Sequence, residues 1–460
     1  MDESRELGRE NIGKLLFKFS IPAVIGMLVN ALYSVVDRIF VGRGVGSLAL
    51  SGVAVTFPIT NIIMGVGMLV GTGAAAVVSI KLGQKRKEEA EQILGNAFVL
   101  TLILTVMVSI IGLMFLEPLL IMFGGSAETM VYAKPFAAIL LAGAVLQNIG
   151  FGLNPIIRSE GDPKTAMITM LIGAALNFMI NPLLIFGFKL GVVGSATATL
   201  ISQAVCTIWI FAYFTKGRSL LKIKRQNLKL KRNIVSQILA IGVSPFAMQV
   251  AASFVTICIN TSLFKYGGDL AIGAYSLILS IAILIIMPML GVNQGAQPLI
   301  GYNYGAKQYD RVRKAILYSA GVNAVLSVAG FLAVELFPVQ IISMFNSSDQ
   351  QLIAIGSRGI TLFLMMLAFV GPQTAIVNYF QSIGKAKHSM GLSLLRQVIL
   401  LIPMVLILPH FFQLDGIWMA GAVSDLGSSL IAFTFMAMEA KRLRELDKEY
   451  PSTGNVELAV

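Results

Sequence analysis

The residues able to do chemistry in this chain sit in apolar surroundings and fall in lines. Asn30, Tyr33 and Asp37 recur at i, i+3 and i+7 within the first long apolar run, which sets them on one face of a helix. Asn177 and Asn181 stand one turn apart in a later run with Pro182 directly after, and Ser195, Thr199 and Ser202 make a further stripe. Gln249, Ser253, Thr256 and Asn260 form the longest stripe, at i, i+4, i+7 and i+11. Such lines suit the wall of a polar cavity. The plain alternative is hydrogen bonding between packed helices, worth about 0.6 kcal/mol per contact in a bilayer. Arg396 and Asp425 are also set in apolar runs. At 1.5 Å per residue they lie roughly 12–14 Å from opposite membrane faces, hence at similar depth. They read as a buried ion pair or as a proton-linked gate. Asp37 has a plain reading too, in which Asp37-Arg38 ends its helix at the outer surface, but Ile39-Phe40-Val41 carries the apolar run beyond it.

Other chemistries lack their parts. Cys206 and Cys258 lie deep in apolar runs, and His388 and His410 are far apart, so no disulfide framework, Cys-based metal site or His ligand pair is on offer. No Walker loop, nucleophile elbow or HExxH occurs. The chain is therefore read as no enzyme and as needing no cofactor. Gly42-Arg43-Gly44-Val45-Gly46 has the wrong spacing for a dinucleotide loop and reads as a tight turn; Gly65, Gly67, Gly71 and Gly73 allow close helix packing.

The elements that position these residues must cross a membrane. Of 460 residues, 56% are hydrophobic and 13% charged, against about 25% charged in soluble domains. Apolar runs predict twelve helices, near 15–41, 49–79, 91–116, 132–157, 165–187, 193–214, 236–264, 270–300, 316–337, 352–379, 389–409 and 416–438. With the N-terminus inside, about 28 of the 35 Lys and Arg fall on the cytoplasmic side, the positive-inside pattern. The net charge of +12 is thus topology, aided by anionic membrane lipid, and calls for no nucleic acid. The first run is too long for a signal core and no small-x-small cleavage site follows it, so it reads as a retained helix.

The two halves repeat at an offset of about 222 residues. Pro22 falls on Pro245, Leu48-Ala49 on Leu270-Ala271, Gly73-Ala74 on Gly295-Ala296, Gly83-x-Lys85 on Gly305-x-Lys307, and Gly161-x-x-Lys164 on Gly384-x-x-Lys387; Pro182 lies near the position of Pro403 and Asn260 takes that of Asp37. Six helices per half make the repeat parallel, an architecture that places substrate between the lobes. The expected organisation is an all-α integral membrane protein of twelve transmembrane helices in two parallel-repeat six-helix lobes. It comprises a cytoplasmic tail 1–14, an N-lobe 15–214, a basic cytoplasmic linker 215–235, a C-lobe 236–438 and a cytoplasmic tail 439–460.

Several stretches carry a family resemblance. Val36-Asp37-Arg38-Ile39-Phe40-Val41-Gly42 resembles the first-helix VD-x-x-x-VG motif of the MATE (multidrug and toxic compound extrusion) transporters, close to the MepA-like bacterial branch. Asn177-x-x-x-Asn181-Pro182-Leu183-x-Ile185-Phe186-Gly187 resembles the family's fifth-helix motif, and Arg158-Ser159-Glu160-Gly161-Asp162-Pro163-Lys164 its fourth connector. Leu395-Arg396-Gln397 with Pro403, and Ser424-Asp425-Leu426, match the last two helices. The likeness covers roughly residues 15–440. It implies secondary active efflux of small amphipathic organic cations in exchange for Na⁺ or H⁺, by a monomer in the bacterial cytoplasmic membrane. It further implies a coupling-ion site at Asp37, Asn177, Asn181 and Thr199 with Tyr33 nearby. Asn30, Gln249, Ser253, Thr256 and Asn260 then line the substrate cavity.

One departure stands out. The family often has Asp where this chain has Asn181, leaving Asp37 as the lone carboxylate of the site; with amide and hydroxyl oxygens around it, it suits a hard monovalent cation or a titrating proton carrier. The acids that another branch carries in helices seven, eight and ten are missing, so no C-lobe ion site built on them is expected. A lipid-linked oligosaccharide flippase of the same superfamily is the alternative, but it should line its cavity with several Lys or Arg. A major facilitator should show Asp-Arg-Gly in the second connector, which here reads Lys81-Leu82-Gly83-Gln84-Lys85-Arg86-Lys87.

Overall fold

The computed structural model describes residues 6–344 and 349–449, without the side chains of Ser34, Val35, Ser47 and Asp269. The expected tails 1–14 and 439–460 lie partly outside the described residues. Among those described, every regular element is helical. The first half holds α1 (Ile12–Gly44), α2 (Ser47–Val55), α3 (Phe57–Gly83), α4 (Lys87–Met114), α5 (Leu116–Met122), α6 (Ala127–Ser159), α7 (Pro163–Pro182) and α8 (Gly191–Thr215). The second holds α9 (Arg232–Gly305), α10 (Tyr309–Leu336), α11 (Pro338–Ser343), α12 (Gln350–Leu364), α13 (Leu367–Ser382), α14 (Ala386–Leu394), α15 (Ile402–Ile407) and α16 (Pro409–Glu449). Eleven helical segments are long and apolar enough to cross a membrane, and twelve when α12 and α13, bent by 46°, count as one span.

Hydropathy located these spans but not the breaks inside them. The expected helix 49–79 is two helices, because α2 ends at Thr56 and Pro58 opens α3, where its missing N–H costs nothing. The expected turn at Gly42–Gly46 is shorter than read. α1 continues through Gly44, and only Gly46, at φ +119°, leaves helical geometry. Asp37 is therefore inside its helix. The reversal between the seventh and eighth spans rests on one residue, Gly268 at φ +66°, a conformation open to glycine without a Cβ penalty.

The repeat recurs in these backbone reversals. Positive φ occurs at Gly46 and Gly268, Lys85 and Lys307, Gly161 and Gly384, and Lys189 and Gln413, each pair at the spacing of the sequence matches. Five-residue-spaced helical turns follow α7 at Leu183–Gly187 and α14 at Leu395–Leu401. The described residues form two compact units, one of residues 6–9 and 25–249, the other of 10–24, 250–344 and 349–449. Their boundaries fall just after Pro22 in α1 and Pro245 in α9, where proline has no N–H for the ladder and loosens the helix.

Side-chain polarity runs inside out. On α4, Ile103, Met107, Ile110 and Ile111 are exposed, while Thr101 and Thr105 are buried. Asn148 of α6 donates to Thr105 Oγ1 at 3.0 Å. In water, such an apolar outer face would be a liability; in lipid it is the solvent-matched side. Close approach follows the glycines: a Cβ on Gly71 would lie 2.9 Å from Gly152 Cα, so α3 and α6 touch backbone to backbone.

The linker is ordered on the first unit. Asn96 of α4, fully buried, donates to the carbonyls of Asn227 (3.1 Å) and Lys229 (3.2 Å) and accepts from the Lys231 N–H at 2.7 Å. Lys224 pairs with Glu91 at 2.5 Å.

Candidate functional site

The site is built on a helical hairpin. Asp162 caps α7 by accepting from the Thr165 N–H at 2.9 Å. At its far end Pro182 cannot donate to the preceding turn, the helix widens, and the Phe188 N–H bonds Leu183 O at 3.0 Å. Lys189 at φ +54° and Gly191 at φ +57° then reverse the chain into α8. In an antiparallel hairpin, residues equidistant in sequence from the tip face one another. Asn181 and Ser195 are equidistant from Phe188, and so are Asn177 and Thr199. Each helix thus contributes two polar groups spaced i and i+4, stacked one above the other.

α1 completes the constellation. Ser195 Oγ donates to Asp37 Oδ1 at 2.8 Å, and the Asn181 amide also donates to Asp37 Oδ1. Asn181 Nδ2 reaches Asn177 Oδ1 at 3.3 Å, Asn177 Nδ2 donates to Thr199 Oγ1 at 3.2 Å, and Thr199 Oγ1 is 3.1 Å from the Tyr33 hydroxyl. The carboxylate only accepts, so it fixes the direction of the chain. Asn181 must turn its NH₂ toward Asp37, and Asn177 in turn presents its carbonyl to Asn181. Asn177, Asn181 and Ser195 are all buried. One acceptor is left over: Asn181 Oδ1 is buried without a hydrogen-bond partner, a state that costs about 1–3 kcal/mol.

All five residues expected at the coupling site, Tyr33, Asp37, Asn177, Asn181 and Thr199, are thereby in one hydrogen-bonded network. Ser195 belongs with them. Its signal was in the sequence, since it shares a stripe with Thr199, but only the hairpin register shows that it meets Asp37.

The residues expected to line a substrate cavity are placed less uniformly. Asn30 is half-buried on the α1 stripe. Gln249 Nε2 donates to Asn61 Oδ1 of α3 at 3.3 Å, a partner that lies on none of the polar stripes. Ser253 and Asn260 are half-buried in the second unit; Thr256 is exposed and donates to Ala252 O of its own helix at 2.9 Å. Arg396 and Asp425 meet, with Arg396 Nε donating to Asp425 Oδ1 at 2.6 Å, and Ser424 Oγ donates to Arg396 O at 2.5 Å. No group of three or more His, Cys, Asp or Glu arranged to hold a metal ion occurs among the described residues.

Known proteins are similar to this chain over most of its length. The family model MatE matches residues 22–183 and 245–407, one segment in each repeat. The chain is similar to the multidrug export protein MepA of Staphylococcus aureus strain MSSA476, 27% identical over 426 residues that span 91% of this chain and 93% of that protein. The Staphylococcus haemolyticus strain JCSC1435 protein of the same name is 25% identical over 95% of this chain and 96% of its own. Among solved structures, the MATE multidrug transporter DinF-BH, solved as a complex, is 38% identical with a TM-score of 0.88, covering 94% of this chain and 96% of that one. A MOP superfamily transporter from Pyrococcus furiosus Vc1 is 26% identical with a TM-score of 0.90, covering 95% and 98%.

Proposed function

The chain belongs to the MatE family, and from that premise we propose that it is a secondary active exporter of amphipathic organic cations, driven by inward Na⁺ or H⁺ through alternating access. The observation that carries this reading is the network closing on Asp37, with the buried Asn181 Oδ1 left without a partner. A monovalent cation entering there would meet one formal negative charge together with amide and hydroxyl oxygens, hard donors that suit Na⁺. A proton would instead sit on Asp37 itself. Either cargo cancels the charge of Asp37, and a cationic drug competes for the same charge. Ion and drug then exclude one another, which is the requirement for exchange.

Two relatives similar over most of their length, the Staphylococcus aureus and Staphylococcus haemolyticus proteins, are multidrug export proteins, which supports the substrate class coarsely. The flippase alternative asks for unpaired cations to hold a pyrophosphate. The deep Arg396 is instead matched by Asp425 at 2.6 Å, which favours export of cations over lipid-linked anions. Everted membrane vesicles loaded under an imposed Na⁺ or pH gradient test the proposal. Ethidium uptake that accelerates with one of the two gradients supports it and names the ion. Uptake indifferent to both would overturn ion coupling.

A further inference from the structure

The connector between α6 and α7 carries a buried carboxylate that the transport site does not use. Glu160 is 3% exposed, and its Oε2 accepts from Ser219 Oγ at 2.7 Å and from the Leu221 N–H at 3.0 Å. Both donors belong to the linker between the two repeats, and both residues are buried where they dock. The linker turns onto this site as α8 ends, the Gly217 N–H bonding Ala212 O at 2.9 Å, and Ile223 N–H returns to Phe214 O at 3.2 Å. Glu160 thus holds the first part of the linker, as Asn96 holds the second.

We propose that Glu160 is a proton-controlled latch, holding linker residues 217–224 against the first unit when neutral and releasing them when ionised. Three observations carry it. The carboxyl is enclosed by the docked linker itself, so docking removes it from water. Its second oxygen, Oε1, is buried and receives no hydrogen bond of good geometry, the nearby Tyr213 hydroxyl donating instead to Asp162 Oδ2 at 3.3 Å, which a neutral acid tolerates far better than a carboxylate. The groups facing it do not compensate a charge: they are the Tyr213 hydroxyl of α8, Ser219 and Leu221 of the linker, and the like-charged Asp162 of the next turn. Arg158, two residues earlier, gives Nη1 to Asn154 Oδ1 at 3.0 Å. Burial, aided by Asp162 and opposed by the donated hydrogen bonds, pushes the Glu160 carboxyl up to about 7 from its ordinary 4.5.

The sign follows from linkage. The docked state keeps a proton that the undocked state gives up, so docking is favoured most below the ordinary carboxylate range and is lost as pH rises through the window to about 7. Each pH unit within that window changes the docking equilibrium about tenfold.

Hydrogen exchange on the full-length protein in lipid nanodiscs, where both faces meet one buffer, reads this directly at the Leu221 amide. Protection of 217–224, corrected for the intrinsic pH dependence of exchange, should fall about tenfold per unit between roughly pH 5 and 7 and level off above. Glu160→Gln keeps a carbonyl acceptor and cannot ionise, so its protection should stay at the low-pH level throughout. Ser219→Ala removes one donor but keeps the carboxyl, and should lower protection while retaining a pH-dependent profile. Protection in Glu160→Gln that falls with pH in parallel with the unsubstituted protein would overturn the proposal. So would a profile flat in pH for the unsubstituted protein. The readout does not depend on transport.

Discussion

Replacing Asp425 by Asn isolates the value of a largely buried ion pair. Arg396 Nε and Asp425 Oδ1 are 2.6 Å apart, with side chains 28% and 9% exposed. At an effective dielectric of about 20 the gross attraction is ~6 kcal/mol, most of which offsets the desolvation of both ions. The substitution leaves a neutral amide of the same shape against an intact guanidinium. Removing one partner of a buried pair costs about 3–5 kcal/mol in soluble proteins, and a lone Arg within a span costs about 2.5–3.5 kcal/mol by insertion scales. Because Arg396 keeps some exposure and its Nε has other directions to turn, the lower end applies, about 2.5–3 kcal/mol. Arg396→Gln in the same background removes the orphaned charge and should restore part of that loss. Thermal unfolding of purified protein, followed by retention of the monodisperse species, measures all four corners of the cycle. If both single variants unfold with the parent yet fail to transport, the pair is a gate and the stability argument is wrong.

Three further outcomes are expected. Single cysteines at Gln226 in the linker and at Met344 after α11, in a background without Cys206 and Cys258, should label from opposite sides of intact cells and everted vesicles; labelling from one side only would overturn the topology. Gly71→Ala forces a Cβ toward Gly152 Cα and should lower stability by about 1–3 kcal/mol, seen as a reduced midpoint in thermal unfolding, whereas an unchanged midpoint would mean α3 and α6 separate freely. Asn181→Asp places a second carboxylate against Asp37. Two like charges at hydrogen-bond distance cannot both ionise easily, so the pair should hold a shared proton and the pH profile of efflux should move to more alkaline values; a profile that stays in place would show that Asn181 does not face the titrating group.

The span positions were legible because hydropathy is written in composition over windows of about twenty residues, and the repeat because Pro, Gly and Lys matches recur at a nearly constant offset. What escaped were single-residue events. Nothing in hydropathy marks the end of α2 at Thr56, and the reversal at Gly268 is one glycine among the 44 in the chain. The site was legible as separate stripes, since i, i+4 spacing on α7 and on α8 is a local property. Their mutual register was not, because it depends on the widened turn after Pro182 and the reversal at Lys189. The contact of Ser195 with Asp37 is therefore visible only in the folded hairpin. The docked linker was invisible for another: its eight cations read as topology, while the contacts that order it come from Asn96, Glu91 and Glu160 on separate stretches of sequence.

Everything proposed for transport turns on Asp37 coupling the ion to the drug. Holding a thousandfold drug gradient requires about 4.1 kcal/mol, whereas a tenfold ion gradient supplies only about 1.4 kcal/mol per ion, so a drug gradient that steep requires more than one ion per cycle or a steeper ion gradient. Everted vesicles with Asp37→Asn and the parent protein at matched membrane levels, each given the same imposed ion gradient, measure it through ethidium accumulation. Accumulation against the gradient should vanish in Asp37→Asn, and the imposed ion gradient should no longer accelerate uptake. Uphill, gradient-dependent accumulation by Asp37→Asn would contradict the assignment and move the coupling carboxylate to Asp425.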